Sequence, residues 1–145
     1  MTSSALKVIL KIGVSAITVF YGIVPAIADL NETHLFNPLW SEHARLHGAW
    51  FLVFAAGIAL IALFLIWVRD DVLLPITFGL MFVLGFWVAT ISAPLYGAAL
   101  VDENGYVQTV FGIESNMFLF SVVGGLLLIA LGVAARVYGG EQQCD

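Results

Sequence analysis

The chain's 145 residues are 61% hydrophobic and 10% charged, where an average soluble domain carries roughly a quarter charged residues. That balance excludes an ordinary water-soluble fold and predicts a single all-α integral membrane domain over 1–145, a bundle of four transmembrane helices. The net charge of -5, from ten acidic and five basic residues without a Lys/Arg run, excludes nucleic acid as a partner because nothing is present to neutralise phosphates.

A spanning helix needs ~20 mostly apolar residues, since the hydrocarbon core is ~30 Å thick and each residue rises ~1.5 Å. The first such stretch covers 8–27, with Lys11 near its start able to reach back to the headgroups. A cleaved signal peptide competes with this reading: Lys7 and Lys11 are a basic start, 12–24 a short apolar region, and Ala26-Ile27-Ala28 a small-x-small cleavage site. Tyr21 and Pro25 suit an interfacial helix end and favour the spanning helix. The outer loop over 28–45 gathers Asp29, Asn31, Glu32, His34, Asn37, Ser41, Glu42, His43 and Arg45. Asn37-Pro38 reads as an N-cap with proline at the first helical position, and Ser41-Glu42 offers a second start one turn later. Either start puts His43 and His47 in the opening turns of the second helix, whose uncharged body spans 46–68.

Arg69, Asp70 and Asp71 form a short loop, so the second and third helices are antiparallel neighbours. The third helix is expected over 72–93, with Pro75 in its first turn and Pro94 ending or kinking it near Ser92 and Ala93. An outer turn over 94–115 follows, irregular over 94–99 and turning at Asp102, Glu103, Asn104 and Gly105. The fourth helix covers 116–136 and is stopped by Arg136, Gly139 and Gly140. Gly85 with Ala89, and Ser121 with Gly125, are spaced for close helix approach, within one chain or in a homo-oligomer. Lys7, Lys11, Arg69 and Arg136 fall on one side of the spans and Arg45 on the other, which places both termini in the cytoplasm and the histidine loop outside. On that outer side Asn31-Glu32-Thr33 matches the glycosylation acceptor pattern. Cys144 is the only cysteine, so no intrachain disulfide or thiolate cluster forms.

All three histidines lie in or next to the outer loop. His43 and His47 are one helical turn apart on one face, a spacing that chelates one metal or presents an imidazole to a haem. His47 is the candidate ligand for haem b or a divalent metal, with Arg45 and Trp50 beside the cofactor. His43 is the candidate acid/base residue with Glu42 and Tyr96, and His34 could join His43 and His47 as a metal set completed by Asp29, Glu32, Glu42 or Glu114. The bland alternative is an interfacial belt in which His, Arg and Trp simply sit among headgroups. Below the histidines Trp50, Phe51, Phe54, Ala55 and Ile58 form a stripe, and Phe86, Trp87, Thr90 and Tyr96 of the third helix end near it. Together they outline a pocket with an apolar floor and polar groups at its mouth.

The run Asn37-Pro38-Leu39-Trp40-Ser41-Glu42-His43-Ala44-Arg45-Leu46-His47, with Ser92-Ala93-Pro94-Leu95-Tyr96-Gly97 later, resembles an uncharacterised family of small four-helix membrane proteins. Trp40 followed by Ala44-Arg45-Leu46-His47 is more distantly similar to styrene oxide isomerase, a four-helix membrane enzyme that binds haem b through a histidine early in its second helix. That resemblance implies His47 as haem ligand. It departs at Val53, where the isomerases carry asparagine, and in the third helix, which has no acidic residue here. Two functions follow as expectations: a membrane enzyme acting on a lipophilic small molecule, or a non-catalytic membrane subunit whose histidine loop docks a partner. No span carries a buried carboxylate or an obvious inverted repeat of the kind carriers use.

Overall fold

The structure, a computed structural model, describes residues 3–101 and 105–139; the expected turn at Asp102, Glu103 and Asn104, and also Gly140 and Cys144, lie outside the described residues. Four helical spans, Ser4–Ala28, Glu42–Val68, Leu73–Tyr96 and Ser115–Tyr138, are each long and apolar enough to cross a membrane. They pack together as a four-helix bundle, so the chain is an all-α, multi-pass membrane protein, as its composition predicts.

The first span is three pieces: α1 (Ser3–Thr18), a π-helical turn (Val19–Ile23) and α2 (Val24–Ala28). Pro25 accounts for the break. It has no N–H to give the carbonyl of Tyr21, and its ring crowds that carbonyl, so the turn before it widens and Val24 donates to Val19 instead. The widened turn buries Tyr21 and Gly22. Midway along α1, Lys11 reaches the loop between the second and third spans, where its Nζ lies 2.6 Å from Asp70 Oδ1. Beside it the Trp67 indole donates to Ser15 Oγ at 3.0 Å.

Helix α3 runs over Glu42–Val68, so it begins one turn before 46 and the outer loop closes at Ser41 rather than at 45. Of the two possible starts the second is used. Ser41 is extended and its hydroxyl accepts from Ala44 N at 3.2 Å, while Glu42 adds a negative charge where the helix dipole favours one. Asn37 serves the loop instead: it is fully buried and its Oδ1 accepts from Leu39 N at 3.0 Å, holding the turn that leads to Trp40. Replacing Ser41 by alanine is expected to lower the unfolding free energy by about 1 kcal/mol while Ser41→Asp retains it, as read from helical circular dichroism during unfolding in mixed micelles.

Asp71 starts α4 (Leu73–Tyr96) by accepting from Leu73 N and Leu74 N at 2.9 and 3.2 Å. The helix does not stop at Ser92 and Ala93; it carries Pro94 within its last turn and ends where Gly97 turns left-handed at φ 74°. Proline costs one backbone bond, to Thr90. Nearby hydroxyls add others: Ser92 Oγ donates to Val88 O at 2.6 Å and Tyr96 to Ala89 O at 2.7 Å. The segment over 94–115 is also more ordered than expected, with an antiparallel pair of short strands, β1 (Thr109–Val110) and β2 (Ile113–Glu114). Helix α5 (Ser115–Gly139) follows directly.

The core sits at the Lys11 and Arg69 end of the bundle. Leu10, Val14, Ile66, Val72, Ile76, Val123, Leu127 and Ala134 form one buried cluster there. Within one chain the close helix approaches are not at the spaced small residues. A Cβ added at Gly85 or Gly125 would meet nothing within 4 Å, whereas one at Gly22 would come within 2.5 Å of Ala59 Cβ. Beyond Gly79 no residue of α4 is fully buried. Of that half Leu80 and Val83 still pack against the core, while Met81, Phe82, Gly85, Phe86 and Ala89 line a space beside α3 from which the functional site is built.

Candidate functional site

His43 and His47 stand on the exposed face of the first two turns of α3. Their Nε2 atoms are 3.0 Å apart and the rings meet edge to face at 83°. A nitrogen-to-nitrogen bond requires one ring to donate and the other to accept, so the pair presents an N–H and a lone pair that share one line. Trp50 flanks it, its ring 6.0 Å from that of His47.

An opening of about 520 Å³ lies beside His47, walled by Leu39, Trp40, Ser41, Ala44, Gly48 and Phe51. Phe51, one turn past His47, is also a wall of a second and deeper cleft of about 610 Å³. Phe54 and Ile58 continue that wall down α3, Phe78, Met81, Phe82, Gly85, Phe86 and Ala89 form the opposite one on α4, and Phe120 of α5 closes it. Ring contacts hold the walls: Phe51 to Phe82 at 6.0 Å, Tyr21 to Phe82 at 4.9 Å, and Phe86 stacked on Phe120 at 4.1 Å. The stripe from His43 through His47, Phe51 and Phe54 to Ile58 advances in steps of four, four, three and four residues, which keeps it on one helix face.

A third and smaller cavity, about 130 Å³, shares Trp40, Gly48 and Phe51 with the opening beside His47 and is walled also by Asp29, His34, Leu35 and Leu52. Burial pushes the Asp29 carboxyl above its ordinary value, opposed by the neighbouring His34.

Several sequence candidates are placed elsewhere. Among the described residues no three His, Cys, Asp or Glu side chains come together as a metal site, so His34 does not complete a set with His43 and His47. Its Nδ1 is bonded to Thr33 Oγ1 at 2.9 Å. Glu114 caps α5, accepting from Asn116 N at 3.0 Å and Met117 N at 2.9 Å. Tyr96 folds its hydroxyl back onto Ala89 O and, like Glu42 and Arg45, lines none of the three spaces. Asn31 of the glycosylation pattern is engaged in its own turn, donating to Ala28 O at 2.6 Å. In the expected pocket Phe51, Phe54, Ile58 and Phe86 are present, Ala55 is buried at 1% exposure, and Trp87 and Thr90 do not line it. Phe78, Met81, Phe82 and Phe120 were not legible as liners, because apolar residues in a membrane helix show no preferred face.

The geometry bears on the cofactor expectations directly. A haem on His47 needs the space in front of Nε2 for its macrocycle, and His43 Nε2 occupies that space at 3.0 Å; the pair as arranged does not fit axial haem ligation by His47. For a small divalent cation the two nitrogens are a partial donor set, which no third His, Cys, Asp or Glu joins among the described residues. With nitrogen–metal bonds of about 2.0–2.1 Å, nitrogens at this separation subtend roughly 90–95°, a cis pair of an octahedral or square-planar site.

No curated protein and no solved structure matches the chain. A family model described as a family of unknown function (DUF6640) matches residues 12–138, and the chain belongs to that family.

Proposed function

We propose that this protein is a membrane-embedded enzyme that draws a neutral, lipophilic small molecule from the bilayer into the phenylalanine cleft and acts on its polar end with His43 and His47. The observation that carries this is the position of Phe51, a wall of both the cleft and the opening beside His47. A molecule lying along Phe86, Phe82 and Phe54 passes Phe51 to reach the imidazoles. The cleft suits an uncharged body, since its walls offer no partner for a charge.

The chemistry assigned to the pair is proton transfer. The ring that donates along the Nε2–Nε2 line has its free lone pair on Nδ1 and takes a substrate proton there. Its own Nε2 proton crosses to the partner ring, and the partner returns the proton it held on Nδ1, so that the pair ends with its tautomers exchanged and no net gain of protons. Such a role contributes ~10²–10⁴-fold. A divalent cation held by the same two nitrogens would instead polarise a substrate oxygen. On the count of basic residues the histidine end faces away from the cytoplasm. The similarity to styrene oxide isomerase agrees with a small oxygenated substrate but supplies no step, because the haem arrangement is not the one found.

The test uses the full chain in lipid nanodiscs with a panel of lipophilic epoxides, enones and alcohols, products being followed by mass spectrometry. Turnover is expected to fall ~10²-fold or more in His43→Ala and in His47→Ala, with helical content unchanged. Elemental analysis of the same preparations separates the two chemistries: a stoichiometric metal lost in both variants assigns the cation, and active metal-free protein assigns proton transfer. Saturable binding without turnover of any panel member, or turnover indifferent to both substitutions, would sink the enzymatic reading.

A further inference from the structure

The hairpin of β1 and β2 is tied to the start of α5 yet leaves its tip uncovered. Ser115 N donates to Gln108 O at 3.0 Å, and Glu114 at the end of β2 accepts from Asn116 N and Met117 N, so hairpin and helix form one unit. Phe111 and Gly112 make the turn with φ of 53° and 79°, a two-residue loop of the kind that favours Asn-Gly. A phenylalanine there is strained, because its Cβ crowds the following carbonyl, and such strain persists only where the surroundings hold it. Within the chain little holds it: the ring meets Phe118 at 5.8 Å, edge to face, and remains 90% exposed. Val107 and Ile113 are exposed beside it, and no residue from Gly105 to Ile113 carries a charge.

The height of Phe118 identifies what surrounds the ring. The span Ser115–Tyr138 has 24 residues, about 36 Å at ~1.5 Å per residue, against a hydrocarbon core of ~30 Å. A centred span extends about 3 Å past the hydrocarbon at each end, and Phe118, on the first turn, lies ~4.5 Å below the start of the helix. Phe118, with Phe111 against it, is therefore at the hydrocarbon boundary. We infer that the hairpin tip is a membrane anchor: Phe111 inserts at the acyl-chain boundary of the leaflet at the histidine end, and lipid covers the side chain that the protein leaves bare. The partner is hydrocarbon rather than an anionic headgroup, since the segment has no cation to attract a phosphate.

The test uses the full chain in phosphatidylcholine nanodiscs, with Cys144, its only cysteine, replaced by serine. A nitroxide is attached in turn at Phe111→Cys, at Gln108→Cys and, as a lipid reference, at Leu128→Cys, an exposed position midway along α5. Collisions with oxygen, which concentrates in lipid, and with a water-soluble nickel chelate are read from saturation of the electron paramagnetic resonance signal. At 111 the ratio of oxygen to nickel collisions is expected to exceed that at Gln108 and to approach that at Leu128. A ratio equal to that at Gln108 would overturn the anchor and leave the tip in water. Low collision rates with both reagents would also overturn it, assigning the tip to a second copy of the chain. Phe111→Trp keeps an aromatic ring at the tip and guards against misfolding of the cysteine variant. The emission it adds is expected to be quenched by phosphatidylcholine brominated in the upper acyl chain; quenching by aqueous acrylamide alone would overturn the anchor.

Discussion

Gly85→Phe is expected to abolish tight ligand binding while leaving the bundle at least as stable as before. Gly85 lines the cleft on α4, and a Cβ placed there meets nothing within 4 Å, so the new side chain has room to grow into the space that the ligand would use. Within a bilayer the hydrophobic effect does not drive a molecule from lipid into an apolar cleft; packing does. A phenyl ring that takes 15–20 atom contacts from the ligand, each worth ~0.1 kcal/mol, weakens binding by about 2 kcal/mol, or roughly thirtyfold. Glycine in a helix interior is meanwhile less favourable than most residues by a few tenths of a kcal/mol or more, so the unfolding midpoint should hold or rise. Loss of binding without loss of stability, in the same nanodisc preparations, is the expected signature. Unchanged binding would remove the cleft from the mechanism.

Gly22→Ala is expected to have the opposite character, damaging the fold first. The new methyl would lie 2.5 Å from Ala59 Cβ and 3.1 Å from Ala55 O, and Ala59 is completely buried, so the clash is with atoms fixed to a helix backbone. Overpacking of this kind costs about 1–3 kcal/mol, more than the helix propensity that alanine adds. The double variant Gly22→Ala with Ala59→Gly is expected to recover most of the loss, because it moves the methyl from one side of the seam to the other. Gly57→Ala is the matched control: it has open space around its Cβ and should stabilise by up to ~1 kcal/mol. Unfolding midpoints in mixed micelles for the four proteins decide this. A Gly22→Ala variant as stable as the Gly57→Ala control would mean that the first and second spans do not meet at this seam.

Much of the architecture was legible from residue order alone, and the reason is the solvent. A bilayer demands long uninterrupted apolar helices, so Lys7, the polar run after Ala28, the Arg69-Asp70-Asp71 loop and Arg136 mark the span ends within a few residues. Caps were legible where a short polar side chain precedes an apolar run, as at Ser41. They were missed where the capping residue was also a plausible ligand, as at Glu114. The histidine pair was legible because four-residue spacing on a helix is a distance in space as much as in sequence.

What required the tertiary structure is everything that depends on which face of an apolar helix is turned inward. In a soluble helix, polarity marks the outer face; in these spans both faces are apolar, and Phe82 or Phe120 reads the same whether it meets lipid, core or cleft. The close seam at Gly22 and the cleft between α3 and α4 arise from contacts between segments distant in sequence. The π-helical turn falls between these cases: Pro25 makes a break in the first span foreseeable, but only packing against Ala55 and Ala59 selects a widened turn that buries Tyr21 and Gly22. Composition and order thus determine how many times the chain crosses and where it turns, because hydrocarbon tolerates few alternatives. Side-chain shape at the interfaces determines where the bundle closes and where it stays open, because in lipid packing alone separates one apolar face from another.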